Sequence, residues 1–129
     1  MIKNRGDIDK FEKLEAQLKG LHEEIELLSK KKPDDGINVF KLKLVNSIVE
    51  KTNELLGKEY KPFPDFKIFD LESVPTNSDV VMILAQYLNC MEKLRSDNIE
   101  EDDYGQWTWS IRGEITDIQT APPKKLQGR

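Results

Sequence analysis

Apolar residues recur at helical spacing in three stretches of the chain, and the pattern is clearest over residues 75–98. The positions on this stripe are Val80, Ile83, Leu84, Tyr87, Leu88, Met91 and Leu94, with Val81 and Cys90 beside them. Steps of three and four residues are typical of one face of an α-helix, and a stripe this broad needs neighbours on two sides. We therefore expect this helix in the middle of the core, with Glu92 on its exposed side.

Thr76 marks the predicted start of this helix. Asp79 follows it at the spacing of a capping box, in which a hydroxyl and a carboxylate each accept a hydrogen bond from a backbone N–H at the helix start. Lys93 and Arg95 fall in the last turns, where cations suit the negative end of the helix dipole. Both ends of the helix are thus indicated by local signals.

A narrower stripe runs over residues 7–31. Its members, spaced alternately three and four residues apart, are Phe11, Leu14, Leu18, Leu21, Ile25 and Leu28. This spacing is the a/d seam of a coiled-coil-like helix. A seam this thin is buried either by the other helices of a bundle or by a second copy of the chain, and the pattern leaves both alternatives open. The second alternative predicts self-association through these six residues.

A second broad stripe lies between these helices in the sequence, over residues 37–56. It consists of Phe40, Leu44, Val45, Ile48, Val49, Thr52, Leu55 and Leu56. Gly57 follows as the glycine that commonly ends a helix. Because this face is about as wide as that of the later helix, we expect the two broad faces to pack on each other.

The segment that joins these two helices combines aromatic residues with prolines. Its aromatic residues are Tyr60, Phe63, Phe66 and Phe69, and its prolines are Pro62, Pro64 and Pro75. Prolines exclude a continuous helix, whereas the aromatic side chains are too apolar for a solvated linker. We expect an ordered loop that packs on the helices as a strap, with one helical turn over residues 65–69.

The period changes to that of a β-strand over residues 106–119. The alternating apolar positions of the first strand are Trp107, Trp109 and Ile111. Gly113 and Glu114 would form a two-residue type II′ turn, which places Arg112 opposite Ile115. An isolated hairpin is marginally stable in water, so its tryptophans must be covered by the helices or by another molecule.

These elements predict a mainly α protein. We expect a three-helix antiparallel bundle with a coiled-coil-like N-terminal helix, an aromatic and proline-rich ordered loop, and a small C-terminal β-hairpin. Residues 1–32 would form the N-terminal amphipathic heptad helix, and residues 33–129 the helical core domain with the hairpin. The length of 129 residues is that of one domain, so we expect one folding unit.

Composition narrows the function classes. The formal net charge is −4, which does not favour nucleic acid or an anionic membrane as a partner. The chain starts with charged residues and has no apolar run of the roughly 20 residues that a membrane span requires, so we expect a soluble cytoplasmic protein without membrane contact. The lone Cys90 is interpreted as a core residue, and the lone His22 as a partly exposed helix residue rather than a metal ligand.

The sequence contains no signature of catalysis. Its seven glycines are scattered and form no phosphate-binding loop, and neither a serine nucleophile elbow nor zinc-ligand spacing is present. We therefore predict a protein without enzymatic activity, cofactor or metal. The expected function is a protein–protein interaction module, an adaptor, regulatory or accessory subunit, that forms a homo-oligomer through its N-terminal helix.

A candidate partner surface lies in the C-terminal part. It comprises Trp107, Trp109, Arg112 and Tyr104 together with the acidic residues Glu100, Glu101, Asp102 and Asp103. One alternative function is a nucleic-acid module in which the tryptophans and Arg112 act with Lys124, Lys125 and Arg129. Another is an inhibitor whose acidic turn covers a basic active site. We expect the tryptophans in the core, because the acidic residues beside them would repel a polyanion.

Overall fold

The computed structural model describes residues 1–125 and consists of three long helices followed by a small sheet. The helices are α1 (Arg5–Lys31), α2 (Val39–Tyr60) and α3 (Asn77–Ser96), with a short 3₁₀ turn at Leu71–Ser73. The strands are β1 (Ile99–Glu101), β2 (Trp107–Ile111) and β3 (Glu114–Gln119), which form one antiparallel sheet in that order. The predicted mainly α class is confirmed.

The helix α1 contacts both α2 and α3, and four members of its seam are buried in the core of the same chain. These four are Phe11, Leu14, Leu18 and Ile25. Leu21 and Leu28, the other two members, are only partly covered. The chain itself therefore covers most of the seam, and a second copy could reach the four buried side chains only if α1 left this position.

The start of α3 agrees with its sequence signals. Thr76 Oγ1 accepts a hydrogen bond from the Asp79 N–H at 3.1 Å, and the Asp79 carboxylate accepts one from the Thr76 N–H at 3.3 Å, which confirms the capping box. The N–H groups of Asn77 and Ser78 donate to carbonyl oxygens of the loop between α1 and α2. The first N–H groups of a helix have no acceptor within the helix. Here the loop supplies the acceptors, and these hydrogen bonds fix the loop against α3.

The helix α2 has a broader apolar face than its neighbours cover. Leu42, Val45 and Val49 are buried, but Phe40 is 72% exposed and Leu44 is 45% exposed. The prediction that Phe40 and Leu44 belong to the core is wrong, because α1 and α3 pack on only part of the face.

Gly57 interrupts the helix α2 with a φ of 67° and a ψ of −174°, a conformation that is essentially restricted to glycine.

Residues 61–76 form a strap that is fixed to α2 by side-chain amides. Asn46 donates to the Phe69 carbonyl and accepts from the Phe69 N–H, both at 2.9 Å, and Asn53 donates to the Lys67 carbonyl at 3.0 Å. The rings of Phe66 and Phe69 meet edge to face at 5.0 Å and pack against the core. The helical turn of this segment is at Leu71–Ser73 rather than at residues 65–69.

The C-terminal sheet differs from the predicted hairpin in two respects. Of the acidic residues Glu100 to Asp103, expected in a solvated turn, Glu100 and Glu101 belong to the edge strand β1, in which Ile99 pairs with Trp109 and is buried. The turn between β2 and β3 has Arg112 and Gly113 at its centre, with φ values of 52° and 82°. Ile111 therefore pairs with Glu114, and the predicted turn at residues 113–114 is wrong by one residue.

Candidate functional site

Two exposed features and one buried charged pair could serve binding. The exposed features are an apolar groove between α1 and α2 and an acidic turn between β1 and β2. The buried pair is Glu92 and Arg95, on the side of α3 that carries the C-terminal segment.

The groove between α1 and α2 contains two apolar residues that the core does not fully cover, Leu21 and Leu44. Its walls are Gln17 and Leu21 of α1 with Leu44, Ser47, Ile48 and Lys51 of α2, and its volume is about 430 Å³. Phe40 lies one helical turn before Leu44 on the same side of α2. A partly covered seam residue, Leu21, is thus joined to the exposed apolar end of α2. We call this surface the α1/α2 groove.

The charges around the groove are of both signs. The adjoining depression towards the N-terminal end of α1 is lined by Asp9, Lys10, Lys13, Leu14, Gln17, Lys51 and Glu54. Gln17 and Lys51 line both depressions, so the two are continuous. An apolar centre with a charged rim is the usual anatomy of a protein–protein interface.

The acidic turn presents its residues to solvent from a rigid backbone. Asp102 Oδ1 accepts hydrogen bonds from the N–H groups of Tyr104 and Gln106, both at 2.9 Å, and the Asp102 N–H donates to the Gln106 carbonyl at 2.7 Å. Tyr104 is 91% exposed at the tip. Glu100, Glu101 and Asp103 are exposed beside it. Four members of the predicted partner surface therefore lie together in solvent, and Asp102 serves mainly to hold the turn.

The tryptophans do not form an exposed surface. Trp109 is fully buried and its ring meets that of Phe11 edge to face at 5.0 Å. Trp107 is half-buried against the core. Among the described residues, Trp109 Nε1 and Thr108 Oγ1 are buried polar atoms without a hydrogen-bond partner. Trp109 is therefore wrongly placed on a partner surface, because the first helix covers it. Arg112 is exposed, but it lies in the turn between β2 and β3 and not in the acidic turn between β1 and β2.

Sequence reasoning missed the pair formed by Glu92 and Arg95. The guanidinium Nε and Nη2 atoms donate to the two Glu92 carboxylate oxygens, both at 2.8 Å. Both side chains are buried, with 3% of Arg95 and 7% of Glu92 exposed, so the expectation that Glu92 is exposed is wrong. Glu92 lies one turn after Leu88 and Arg95 one turn after Met91, and the signal that could have found the pair is an acid and an arginine three residues apart on one helix face.

The remaining candidate residues are Cys90 and His22. Cys90 is partly covered, and desolvation raises the pKa of its thiol, so the thiolate nucleophile is disfavoured at neutral pH. His22 is partly covered, and its Nε2 lies 4.0 Å from a Glu26 carboxylate oxygen on α1. Within residues 1–125, no group of three or more His, Cys, Asp or Glu side chains is arranged to hold a metal ion. Over the same residues, no helix has the length and apolar character needed to cross a membrane.

Comparisons with known proteins give no match. Neither a protein-family model, nor a curated protein, nor a solved structure matches this chain.

Proposed function

We propose that this protein is a non-catalytic protein–protein interaction module, acting as an adaptor, regulatory or accessory subunit, and that it self-associates through its N-terminal helix and α2. The observation that carries the proposal is the α1/α2 groove. Phe40 and Leu44 are large apolar side chains exposed next to each other on one helix, and a contiguous apolar patch of this kind marks an interaction surface in a soluble protein.

Because most of the seam is buried within the chain, the proposed interface differs from the set of residues that the heptad pattern alone indicates. Of the six seam residues, Leu21 lines the groove and is accessible to a partner. We therefore place the interface on Leu21, Phe40 and Leu44, with the four buried seam residues supporting α1 from beneath. We also infer that α1, α2 and α3 form an antiparallel bundle with a coiled-coil-like α1, since each helix contacts the other two.

A second copy of the chain is the occupant that we favour. In a two-fold interface the same patch serves both subunits, so one apolar groove is sufficient. The rim carries Lys10, Lys13 and Lys51 together with Asp9 and Glu54. Because both signs are present, a copy that runs in the opposite direction can pair lysines with carboxylates.

Self-association is tested by light scattering after size exclusion from micromolar to millimolar protein. We expect the wild type to have at least twice the monomer mass of 15.0 kDa, and Leu44→Asp to be a monomer because it places a charge in the apolar centre of the interface. Met82→Asp is the matched control, since Met82 is 57% exposed on α3 and is not part of the groove. Leu18→Asp is unsuitable because Leu18 is fully buried and its loss would unfold the monomer.

A monomeric wild type over the whole concentration range would contradict self-association. A Met82→Asp variant that dissociates as completely as Leu44→Asp would show that the groove is not the interface.

The nucleic-acid alternative predicts different behaviour of the tryptophans. Because Trp109 is fully buried, we expect a blue-shifted emission that single-stranded oligonucleotide does not change, and a loss of about 3–5 kcal/mol in the free energy of unfolding for Trp109→Ala. Emission that is quenched by oligonucleotide, with an affinity that falls steeply with salt, would favour the alternative. Lys124 and Lys125 are exposed, and Arg129 lies outside the described residues.

The acidic turn supports a second candidate function, an inhibitor of a basic partner. The specific observation is that a 91% exposed Tyr104 stands among acidic side chains on a turn held by Asp102. Affinity capture from the source cell with the wild type, Leu44→Asp and Tyr104→Ala separates the two surfaces. A basic protein that is lost only with Tyr104→Ala would assign binding to the turn.

A further inference from the structure

The segment of residues 120–124 is held on α3 by Arg95 and Glu92. Besides the two bonds to Glu92, Arg95 Nη1 donates to Thr120 Oγ1 at 2.9 Å and to the Ala121 carbonyl at 2.7 Å, and Nη2 donates to the Pro122 carbonyl at 2.8 Å. Glu92 Oε2 accepts from the Lys124 N–H at 2.9 Å. All five guanidinium N–H groups are thereby used.

The contacts recognise the backbone of this segment and few of its side chains. Ala121, Pro122, Pro123 and Lys124 are all exposed, so the segment gains little from apolar burial. The charged pair binds two successive carbonyl oxygens and then an N–H two residues further on. Pro123 stands between them and has no N–H to satisfy. A backbone of this form from any other chain offers the same groups.

The surroundings favour a basic residue after the second proline. Lys124 and Lys125 line a cleft of about 270 Å³ that also contains Glu15, Lys19 and Glu23. When residues 120–125 leave, the cleft loses two cations and keeps three carboxylates, those of Glu15, Glu23 and Glu92, together with Lys19 and His22. Lys19 lies close to Lys124 and lowers its pKa, so this like-charge contact offsets part of the attraction of the carboxylates.

We propose that the groove around Arg95 and Glu92 is a docking site for an extended partner peptide of the pattern small residue–Pro–Pro–basic residue, and that residues 120–124 occupy it as an intramolecular competitor. A buried ion pair is a weak source of stability, but it provides strong, charge-assisted hydrogen bonds to a bound backbone. This site lies on α3 and is independent of the α1/α2 groove, so it is a second binding activity.

Competition between residues 120–124 and a free peptide for the same site can be measured directly. A tethered segment acts at an effective concentration of about millimolar, so the wild type should bind a free peptide weakly. Lys124→Pro removes the N–H that Glu92 accepts, whereas Lys124→Ala keeps it, and residue 124 is exposed in both cases. Loss of one charge-assisted hydrogen bond, worth about 1.5–3 kcal/mol, corresponds to about tenfold or more in affinity.

The probe is a fluorescein-labelled peptide with the sequence IQTAPPKK of residues 118–125, followed by fluorescence polarisation against the full chain. We expect Lys124→Pro to bind it about tenfold more tightly than the wild type, and Lys124→Ala, which keeps the N–H, to bind it more weakly than Lys124→Pro. Arg95→Lys in the Lys124→Pro background should abolish binding, since the three donors of a lysine ammonium cannot replace the five of the guanidinium, which bind Glu92 and the segment together. A peptide of the same composition with scrambled order should not bind.

Two results would overturn the proposal. No binding of the peptide to Lys124→Pro at millimolar concentration would show that residues 120–124 are only a structural latch. Equal affinity with and without Arg95→Lys, in proteins whose circular dichroism is unchanged, would show that the peptide binds elsewhere. Repeating the titration with Leu44→Asp separates this site from self-association, because the peptide affinity should be unchanged when the groove between α1 and α2 is disrupted.

Discussion

Glu92 and Arg95 show how a polar pair enters the interior of a protein of this size. They follow Leu88 and Met91 by one turn at the end of the apolar stripe of α3, and residues 120–124 return across them and remove them from water. Burying two charges is costly unless the geometry is good and the other donors are satisfied. Here the contact is bidentate, and Thr120, Ala121 and Pro122 accept the remaining donors.

We predict that Glu92→Ala lowers the free energy of unfolding by about 3–5 kcal/mol, because it leaves the buried Arg95 without its counter-charge. The measurement is urea denaturation followed by circular dichroism. Gln86→Ala is the control on the same helix, since Gln86 is exposed and should change stability by about 0.5 kcal/mol or less. Similar effects of the two substitutions would show that the pair is not buried in solution.

The turn between β2 and β3 shows where local preference and strand pairing compete. A two-residue turn with positive φ at both central positions matches the right-handed twist of the strands, and Arg112 adopts such a φ although it has a side chain. The preference for glycine at the first position of a type II′ turn suggested the other placement. Pairing of Ile111 with Glu114 instead requires Arg112 and Gly113 at the centre.

We predict that Arg112→Asn raises the free energy of unfolding by about 0.5–1 kcal/mol, because Asn-Gly is the preferred pair for this turn. Thermal or urea unfolding of the variant measures the gain. Glu114→Asn, which makes the same substitution just outside the turn, is the control and should not stabilise. Destabilisation by Arg112→Asn would indicate the turn at residues 113–114 after all.

Contacts between distant elements hold the ends of α2 and α3 together. Tyr60 Oη donates to Asp97 Oδ2 at 2.8 Å, and the Lys93 ammonium donates to the other carboxylate oxygen at 3.0 Å. Desolvation and the hydrogen bond to Asp97 raise the pKa of Tyr60 to about 12. Desolvation also tends to raise the pKa of Asp97. The hydrogen bonds from Tyr60 and Lys93 outweigh this effect, and the pKa of Asp97 is lowered.

These shifts predict a pH dependence of stability. A tyrosine whose pKa rises on folding contributes stability that is complete below its ordinary pKa of 10.0 and is lost as the pH rises through about 12. We therefore expect the free energy of unfolding to fall between pH 10 and 12 by more in the wild type than in Tyr60→Phe. Tyr104→Phe, at an exposed residue, should behave like the wild type, and identical profiles for all three proteins would contradict the coupling.

Local sequence determined the features that depend on a few neighbouring residues. The capping box at Thr76, the three apolar periods and Gly57 at the break in α2 can be derived from the sequence because helix periodicity and capping act within about one turn. The same holds for the buried residues of the N-terminal seam, although the pattern could not show whether this chain or a second one covers them.

Tertiary structure decided which side of each broad face is covered and which polar groups are buried. Phe40 and Leu44 remain exposed because the packing of α1 and α3 ends short of them, and Trp109 is buried because Phe11, far away in the sequence, lies on it. Besides Glu92, the partners of Arg95 lie 25 to 27 residues further along the chain. A periodic pattern contains no information on such returns of the chain, because the free energy that places them comes from long-range contacts.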